Sequence, residues 1–273
     1  MNTLLITIVP SILILLYFFL SDRFKEPKGS IALVFFLGIL ICLPAGIINS
    51  FMYDNFNDGT DLSEALYSSF LGPAWAEELL KFIILYFVVL RRNEFNEPMD
   101  GIVYGVTVSL GFATYENYDY VFRLAELWEI DPYQLAIWRS YSAIPLHGLN
   151  GCIMGFYFGM YSFTANKKYL ILCLLIPYLI HGLYNFISHP YHLTIVGMIT
   201  IYAVALHSHF KKLQKEKSSE IEIKKLQDLE AKVEGSYLSS CEAILEIDQY
   251  EDGRLWRASG GFKQFADYVK SKF

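Results

Sequence analysis

TLLITIVPSILILLYFFL, residues 3–20, runs without a single charged residue. A second run, IALVFFLGILICLPAGII at 31–48, repeats the pattern. Each is about 18 residues long, the length at which a helix crosses the hydrocarbon core of a bilayer. Composition agrees with that reading. Of 273 residues, 54% are hydrophobic, 16% aromatic and only 18% charged, against about 25% charged in ordinary soluble domains. The chain therefore reads as an all-α, polytopic transmembrane helix bundle. Seven spans are predicted, near 3–20, 30–50, 64–90, 100–122, 141–164, 169–188 and 192–209. The first lacks the basic flank and small-residue cleavage site of a signal peptide.

Basic residues orient the bundle. Arg23, Lys25 and Lys28 follow the first span, Arg91 and Arg92 the third, Lys167 and Lys168 the fifth, and Lys211 and Lys212 the last. The alternate connections carry Asp54, Asp58 and Asp61, or balance Arg123 and Arg139 with Glu126, Glu129 and Asp131. By the positive-inside rule the N-terminus is expected outside and the C-terminus in the cytoplasm. Gly72-Pro73 is expected to break the long third span. His189 and His192 fall in an outer turn, and His207 and His209 at the cytoplasmic headgroups. Beyond the spans, KKLQKEKSSEIEIKKLQDLEAKVEG (211–235) predicts an amphipathic helix. The chain thus divides into a bundle over 1–210 and a helical cytoplasmic tail over 211–273, a candidate site for a cytoplasmic partner. Cys42, Cys152, Cys173 and Cys241 have no metal-binding spacing and read as small apolar residues.

Ionisable residues inside spans are costly and usually face a cavity or one another. PAWAEELLKF (73–82) holds Glu77, Glu78 and Lys81; Glu116, His147 and His181 lie deep in three further spans. Counting helical rise from the cytoplasmic ends puts Glu77 at about 21 Å, Glu116 at about 24 Å, His181 at about 20 Å and His147 at about 30 Å. All fall in one band in the outer half of a core about 30 Å thick. Carboxylates and imidazoles at one level suit general acid–base chemistry on water, and Glu116, His147 and His181 could hold a divalent metal such as zinc. Glu77 and Glu78 point about 100° apart, so Lys81 can pair with one and leave the other free as a base. Asn117, Asn150 and Asn185 stand near these groups as orienting residues or oxyanion donors. Taken singly, each feature has a structural explanation: an ion-pair knot for Glu77, Glu78 and Lys81, a cap for Glu116, satisfied core histidines for His147 and His181. The glycines of GVTVSLG and GFYFG read as points of close helix approach.

EELLK (77–81) resembles the EExxK signature of PrsW-type intramembrane proteases. DGIVYGVTVSLGFATYEN (100–117), RSYSAIPLHGLNGCIMGFYFG (139–159) and HGLYNF (181–186) resemble that family's second, third and fourth motifs, in order. The likeness covers about 70–190 and leaves the tail outside it. It implies a multi-pass bacterial plasma-membrane peptidase, metal-dependent or metal-free, that cuts a single-pass membrane protein near the outer face of the lipid bilayer. An anti-sigma-factor-like regulator in a stress response is the implied substrate, and no nucleic-acid partner is expected. The alternatives are a CAAX-type or bacteriocin-immunity-like relative, a transporter using the polar band as a relay, or a non-catalytic scaffold. The lack of an internal repeat counts against transport, and the retention of every carboxylate counts against an inactive scaffold.

Overall fold

The computed structural model describes residues 2–187 and 191–235, with side chains assigned through most of the first 225. Among these residues the chain is helical, with no strand. α1 (Thr3–Ser21), α2 (Lys28–Leu40) and α3 (Cys42–Phe56) lead in. α4 (Asp61–Leu66) continues without interruption through a wide π-helical stretch (Tyr67–Ala74) into α5 (Trp75–Ile84) and a second such stretch (Leu85–Val89). α6 (Pro98–Asp119) widens likewise over Tyr120–Leu124 before the short α7 (Ala125–Leu127). α8 (Pro132–Tyr141), α9 (Ala143–Thr164), α10 (Lys167–Phe186) and α11 (His192–Gly235) complete the order. Four helical runs among the described residues are long and apolar enough to cross a membrane: Thr3–Ser21, Lys28–Phe56, Lys167–Phe186 and His192–Lys225.

α6 is the axis. Every residue from Pro98 to Ala113 is buried, so the helix is enclosed on all sides, as expected for one that is apolar all round. Its closest neighbour is α9, and glycines set that distance. A Cβ on Gly155 would lie 2.1 Å from the Gly101 carbonyl oxygen, and one on Gly105 would lie 2.4 Å from that of Gly151. Backbone rather than side chain blocks the space, so the helices themselves would have to part. Gly155→Ala is expected to lower stability by about 1–3 kcal/mol, the usual cost of overpacking. Gly46→Ala, where nothing lies within 4 Å, is expected to be neutral or to stabilise by up to about 1 kcal/mol. Thermal unfolding of both variants in detergent checks the pair.

Three details differ from the sequence reading. The helix is not broken at Gly72-Pro73. Pro73 sits inside the wide stretch 67–74, where looser spacing accommodates a residue that has no N–H to donate. His207 does not face lipid headgroups but is 4% exposed, with Nε2 2.9 Å from Ser21 Oγ at the end of α1 and its ring against Phe18. His192 is half-buried, its ring stacked on Tyr184 at 4.3 Å; His189 lies outside the described residues. Cys42, Cys152 and Cys173 are free thiols in apolar surroundings, and Cys241 is outside the described residues.

α11 runs unbroken across residues 210 and 211, and Leu213 and Gln214 are buried on the bundle. The Gln214 amide donates to Asp22 at 2.8 Å and to Glu97. Burial pushes the Glu97 carboxyl well above the usual carboxylate range. Glu97 begins α6 together with Asp100, which accepts from the Asn96 and Glu97 backbone N–H groups at 2.8 and 2.9 Å. The start of the tail helix is thereby tied to the end of α6 that lies about 27 Å from Glu116.

Candidate functional site

Five helical segments bring their polar residues to one place. α5 supplies Glu77, Glu78 and Lys81, α6 supplies Glu116 and Asn117, and α8, α9 and α10 supply Arg139, His147 and His181. Helical geometry separates the two adjacent glutamates. Glu78 points into the bundle and is fully buried, with Oε1 2.8 Å from Lys81 Nζ and 2.8 Å from His181 Nδ1. Glu77 stands on the wall of a cavity of about 370 Å³, beside Glu116, His147 and His181. Its Oε2 is 3.8 Å from Lys81 and 3.9 Å from His181 Nε2, and has no hydrogen-bond partner. One carboxylate is ion-paired and the other is open, as the spacing of EELLK allowed.

The hydrogen bonds assign the imidazole protons. An ammonium only donates. Lys81 Nζ lies 3.1 Å from His147 Nδ1, so that nitrogen accepts. The His147 Nε2–H then donates to Glu116 Oε2 at 3.1 Å. A carboxylate only accepts, so His181 donates Nδ1–H to Glu78 and keeps the Nε2 lone pair, directed toward Glu77. The imidazoles meet edge to face with centroids 5.1 Å apart. Lys81 lies 4.5 Å above the Phe112 ring, which adds cation–π stabilisation to a fully buried charge.

Arg139 belongs to this network, although its sequence position suggested an outer loop. It is 9% exposed, donates from Nη2 to Glu116 Oε2 at 2.5 Å and from Nε to Asn117 Oδ1 at 2.8 Å, and stacks 3.8 Å from the Tyr120 ring centroid. The signal for its helix was present. Asp131-Pro132 is an N-cap followed by proline at the first helical position, and Leu135 and Trp138 sit at helical spacing on the cavity wall.

The three asparagines diverge. Asn117 pins α6 to α1, donating to the Thr7 carbonyl at 2.8 Å. Asn150 donates to the Pro177 carbonyl at 3.1 Å and joins α9 to α10 away from the cavity lining. Asn185 alone of the three lines the cavity.

Donor atoms of Glu77, Glu78, His147 and His181 all lie within 4.8 Å of one another, a grouping of the kind that holds a metal ion. Glu116 stands just outside it, on the far nitrogen of His147. Within the group, however, Glu78 Oε1 and His147 Nδ1 are both engaged by Lys81. Glu77 Oε2 and Glu78 Oε2 have no hydrogen-bond partner, and with the Nε2 of His181 they offer as many donors as the three protein ligands of a catalytic zinc site.

Residues 26–208 match the family described as PrsW family intramembrane metalloprotease. Protease PrsW of Bacillus subtilis (strain 168) is 39% identical over 184 residues, covering 66% of this chain and 79% of the relative. Protease PrsW of Geobacillus kaustophilus (strain HTA426) is 36% identical over 183 residues, covering 66% and 76%. Protease PrsW of Clostridioides difficile (strain 630) is 29% identical over 211 residues, covering 76% and 87%. No solved structure matches the chain. The chain, a helical membrane peptidase, belongs to the PrsW family of intramembrane proteases.

Proposed function

We propose that this peptidase cuts a single-pass membrane protein beside the outer face of the bacterial cytoplasmic membrane, with an anti-sigma-factor-like regulator as substrate. The observation that carries the chemistry is the Glu77 carboxylate, open on the cavity wall 3.9 Å from the Nε2 of His181. A water at ordinary hydrogen-bond distance, about 2.8 Å, reaches both acceptors at once. It donates one hydrogen to each, which turns its lone pair toward a carbonyl carbon in the cavity. As the water oxygen bonds to that carbon, its proton passes to Glu77. Glu77 then returns the proton to the amide nitrogen as the C–N bond breaks, leaving a carboxylic acid and an amine. Arg139 and Asn185, also on the cavity wall, are donors for the developing oxyanion. Glu78 and Glu116 hold the two histidines in register. The description of the family implies a bound metal. Glu77, Glu78 and His181 would hold such an ion, which would supply Lewis-acid polarisation of water or carbonyl; the steps above are those of the chain's own residues.

The outer-face placement rests on the basic loops between the spans and on the position of Glu77, Glu116, His147 and His181 far from those loops. The test compares new protein N-termini in membranes carrying equal amounts of wild type and Glu77→Gln. Termini that appear only with the wild type, just outside the span of a single-pass protein, are expected. An identical set of termini from both would overturn the reading.

A further inference from the structure

A second cluster of buried carboxylates lies at the end of α6 remote from Glu116. Asp22 follows α1, Glu26 lies in the connection to α2, and Glu97 and Asp100 begin α6. Asp22, Glu97 and Asp100 are 1%, 0% and 0% exposed. One ligand oxygen from each of these three falls within 4.8 Å of the others. Each also has a buried oxygen with no hydrogen-bond partner among the described residues: Asp22 Oδ2, Glu97 Oε2 and Asp100 Oδ1. We propose that Asp22, Glu97 and Asp100 bind a divalent cation of the oxygen-seeking kind, Ca²⁺ or Mg²⁺, which latches the tail helix to the bundle.

The protein's own donors serve one oxygen of each carboxylate and leave the other. Asp100 Oδ2 accepts from the Asn96 and Glu97 backbone N–H groups. Asp22 Oδ1 accepts from the Phe24 N–H at 3.0 Å and from the Gln214 amide, and Glu97 Oε1 accepts from that same amide. The ammonium of Lys25, the neighbouring basic residue, is directed to the backbone carbonyls of Leu20, at 3.1 Å, and Asp22. Glu26 adds a fourth carboxylate, accepting from the Tyr104 hydroxyl at 2.7 Å. A charged oxygen buried without a partner is expensive, and the positive end of α6 offsets only part of one charge. A proton shared by Asp22 and Glu97 is the competing account, but it serves two of the three oxygens and leaves Asp100 Oδ1 without a partner. One divalent ion serves all three. The donors are oxygens alone, the set that suits Ca²⁺ and Mg²⁺ rather than zinc. Ligands on opposite sides of a Ca²⁺ ion, each at about 2.3–2.6 Å, stand about 4.6–5.2 Å apart, so the observed spread of 4.8 Å admits the ion without moving a helix. Gln214 comes from α11 and bridges Asp22 and Glu97. An ion that fixes those two carboxylates therefore fixes the tail helix against α1 and α6.

The test uses the full-length protein in detergent, stripped with chelator and held at constant ionic strength. It is titrated with Ca²⁺ and, separately, with Mg²⁺, while bound ion and thermal unfolding are measured. Wild type is expected to take up about one ion per chain from one of the two, and to unfold at least about 5 °C higher at a hundredfold excess over Kd. Asp22→Asn and Asp100→Asn each keep an oxygen for the hydrogen bonds already made and replace only the orphaned one. Both are expected to fold and to bind at least about tenfold more weakly. Trypsin is expected to cut after Lys215, exposed on α11 just beyond Gln214, at least about threefold faster in wild type without the ion than with it. Unfolding that responds to neither ion, the result a shared proton would give, would overturn the proposal. So would variants that bind as tightly as wild type, or an ion lost on Glu77→Gln and kept by Asp22→Asn, which would belong to the peptidase centre. Equal rates of trypsin cutting with and without a bound ion would overturn the latch. Should neither asparagine variant fold, the wild-type response, with Glu77→Gln as its control, decides alone.

Discussion

Glu77→Gln is expected to abolish cleavage, with a loss of about 10³-fold or more, and to leave the protein at least as stable as wild type. The first half follows from the role of a general base, whose removal typically costs 10²–10⁴-fold; a 10³-fold loss is about 4 kcal/mol of transition-state stabilisation. The second half follows from how little holds Glu77 in the resting site. Its nearest charged neighbours are Lys81 at 3.8 Å and His181 at 3.9 Å, both beyond a hydrogen bond, and its Oε2 has no partner. A buried carboxylate so poorly compensated is a cost to folding, so the neutral amide relieves it. Glu78→Gln behaves differently. Its carboxylate accepts from both Lys81 and His181 at 2.8 Å, and without its charge Lys81 loses its close counter-ion in a fully buried position. Glu78→Gln is therefore expected to lose both activity and stability, the latter by about 3–5 kcal/mol for a broken buried pair. Cleavage rates and thermal unfolding in detergent, measured side by side, separate the two residues. A Glu77→Gln enzyme that still cleaves, or a Glu78→Gln enzyme as stable as wild type, would reverse these assignments.

That division was half legible in the sequence. EELLK fixes two adjacent carboxylates about 100° apart with a lysine in reach of both, so one paired and one open glutamate could be expected. Which was which depends on α10 and on the cavity, and neither is encoded locally in residues 77–81. Counting depth singled out Glu77, Glu116, His147 and His181, which line one cavity, because an ionisable group inside a span is costly enough to be informative wherever it occurs. It could not reach Arg139. Outside the apolar runs a charge carries no such signal, because solvated charges are cheap and common. Residues 123–140 read as a balanced loop, and α8 was marked by the Asp131-Pro132 start and the spacing of Leu135 and Trp138 alone. His207 was expected to face lipid headgroups for a related reason. α11 does not stop where its apolar run stops but continues to Gly235, so a residue at the expected membrane edge is packed against α1 instead. Asn150 looked like a site residue because it follows His147 by three positions, but its amide bridges α9 to α10. Periodicity shows which residues share a helix face; it does not show what the neighbouring helix places opposite.

Arg139→Met is expected to destabilise the protein by about 3–5 kcal/mol, the cost of stranding one member of a buried ion pair, and most of that loss is expected to return in the double variant Arg139→Met/Glu116→Gln. The pair is 2.5 Å apart, with side chains only 11% and 17% exposed. Removing the guanidinium leaves the Glu116 carboxylate with only the His147 imidazole at 3.1 Å, and deprives Asn117 Oδ1 of its donor. Neutralising Glu116 as well removes the uncompensated charge, while the oxygen of the introduced amide can still accept from His147, so the fold recovers and a coupling of more than about 1 kcal/mol appears in the cycle. Arg139→Lys is expected to fall between, since a single ammonium cannot reproduce a fork that serves Glu116 and Asn117 together while stacking on Tyr120. Activity should not follow stability. α8 carries Leu135 and Trp138 on the cavity wall, and Arg139 is its charged anchor to α6. In the double variant that anchor is gone though the charge is balanced, so cleavage is expected to remain at least tenfold below wild type at a temperature where both are fully folded. Equal cleavage by the double variant would reduce Arg139 to a counter-ion, whereas a loss in kcat with little change in KM is the signature expected of a guanidinium that also meets the developing oxyanion.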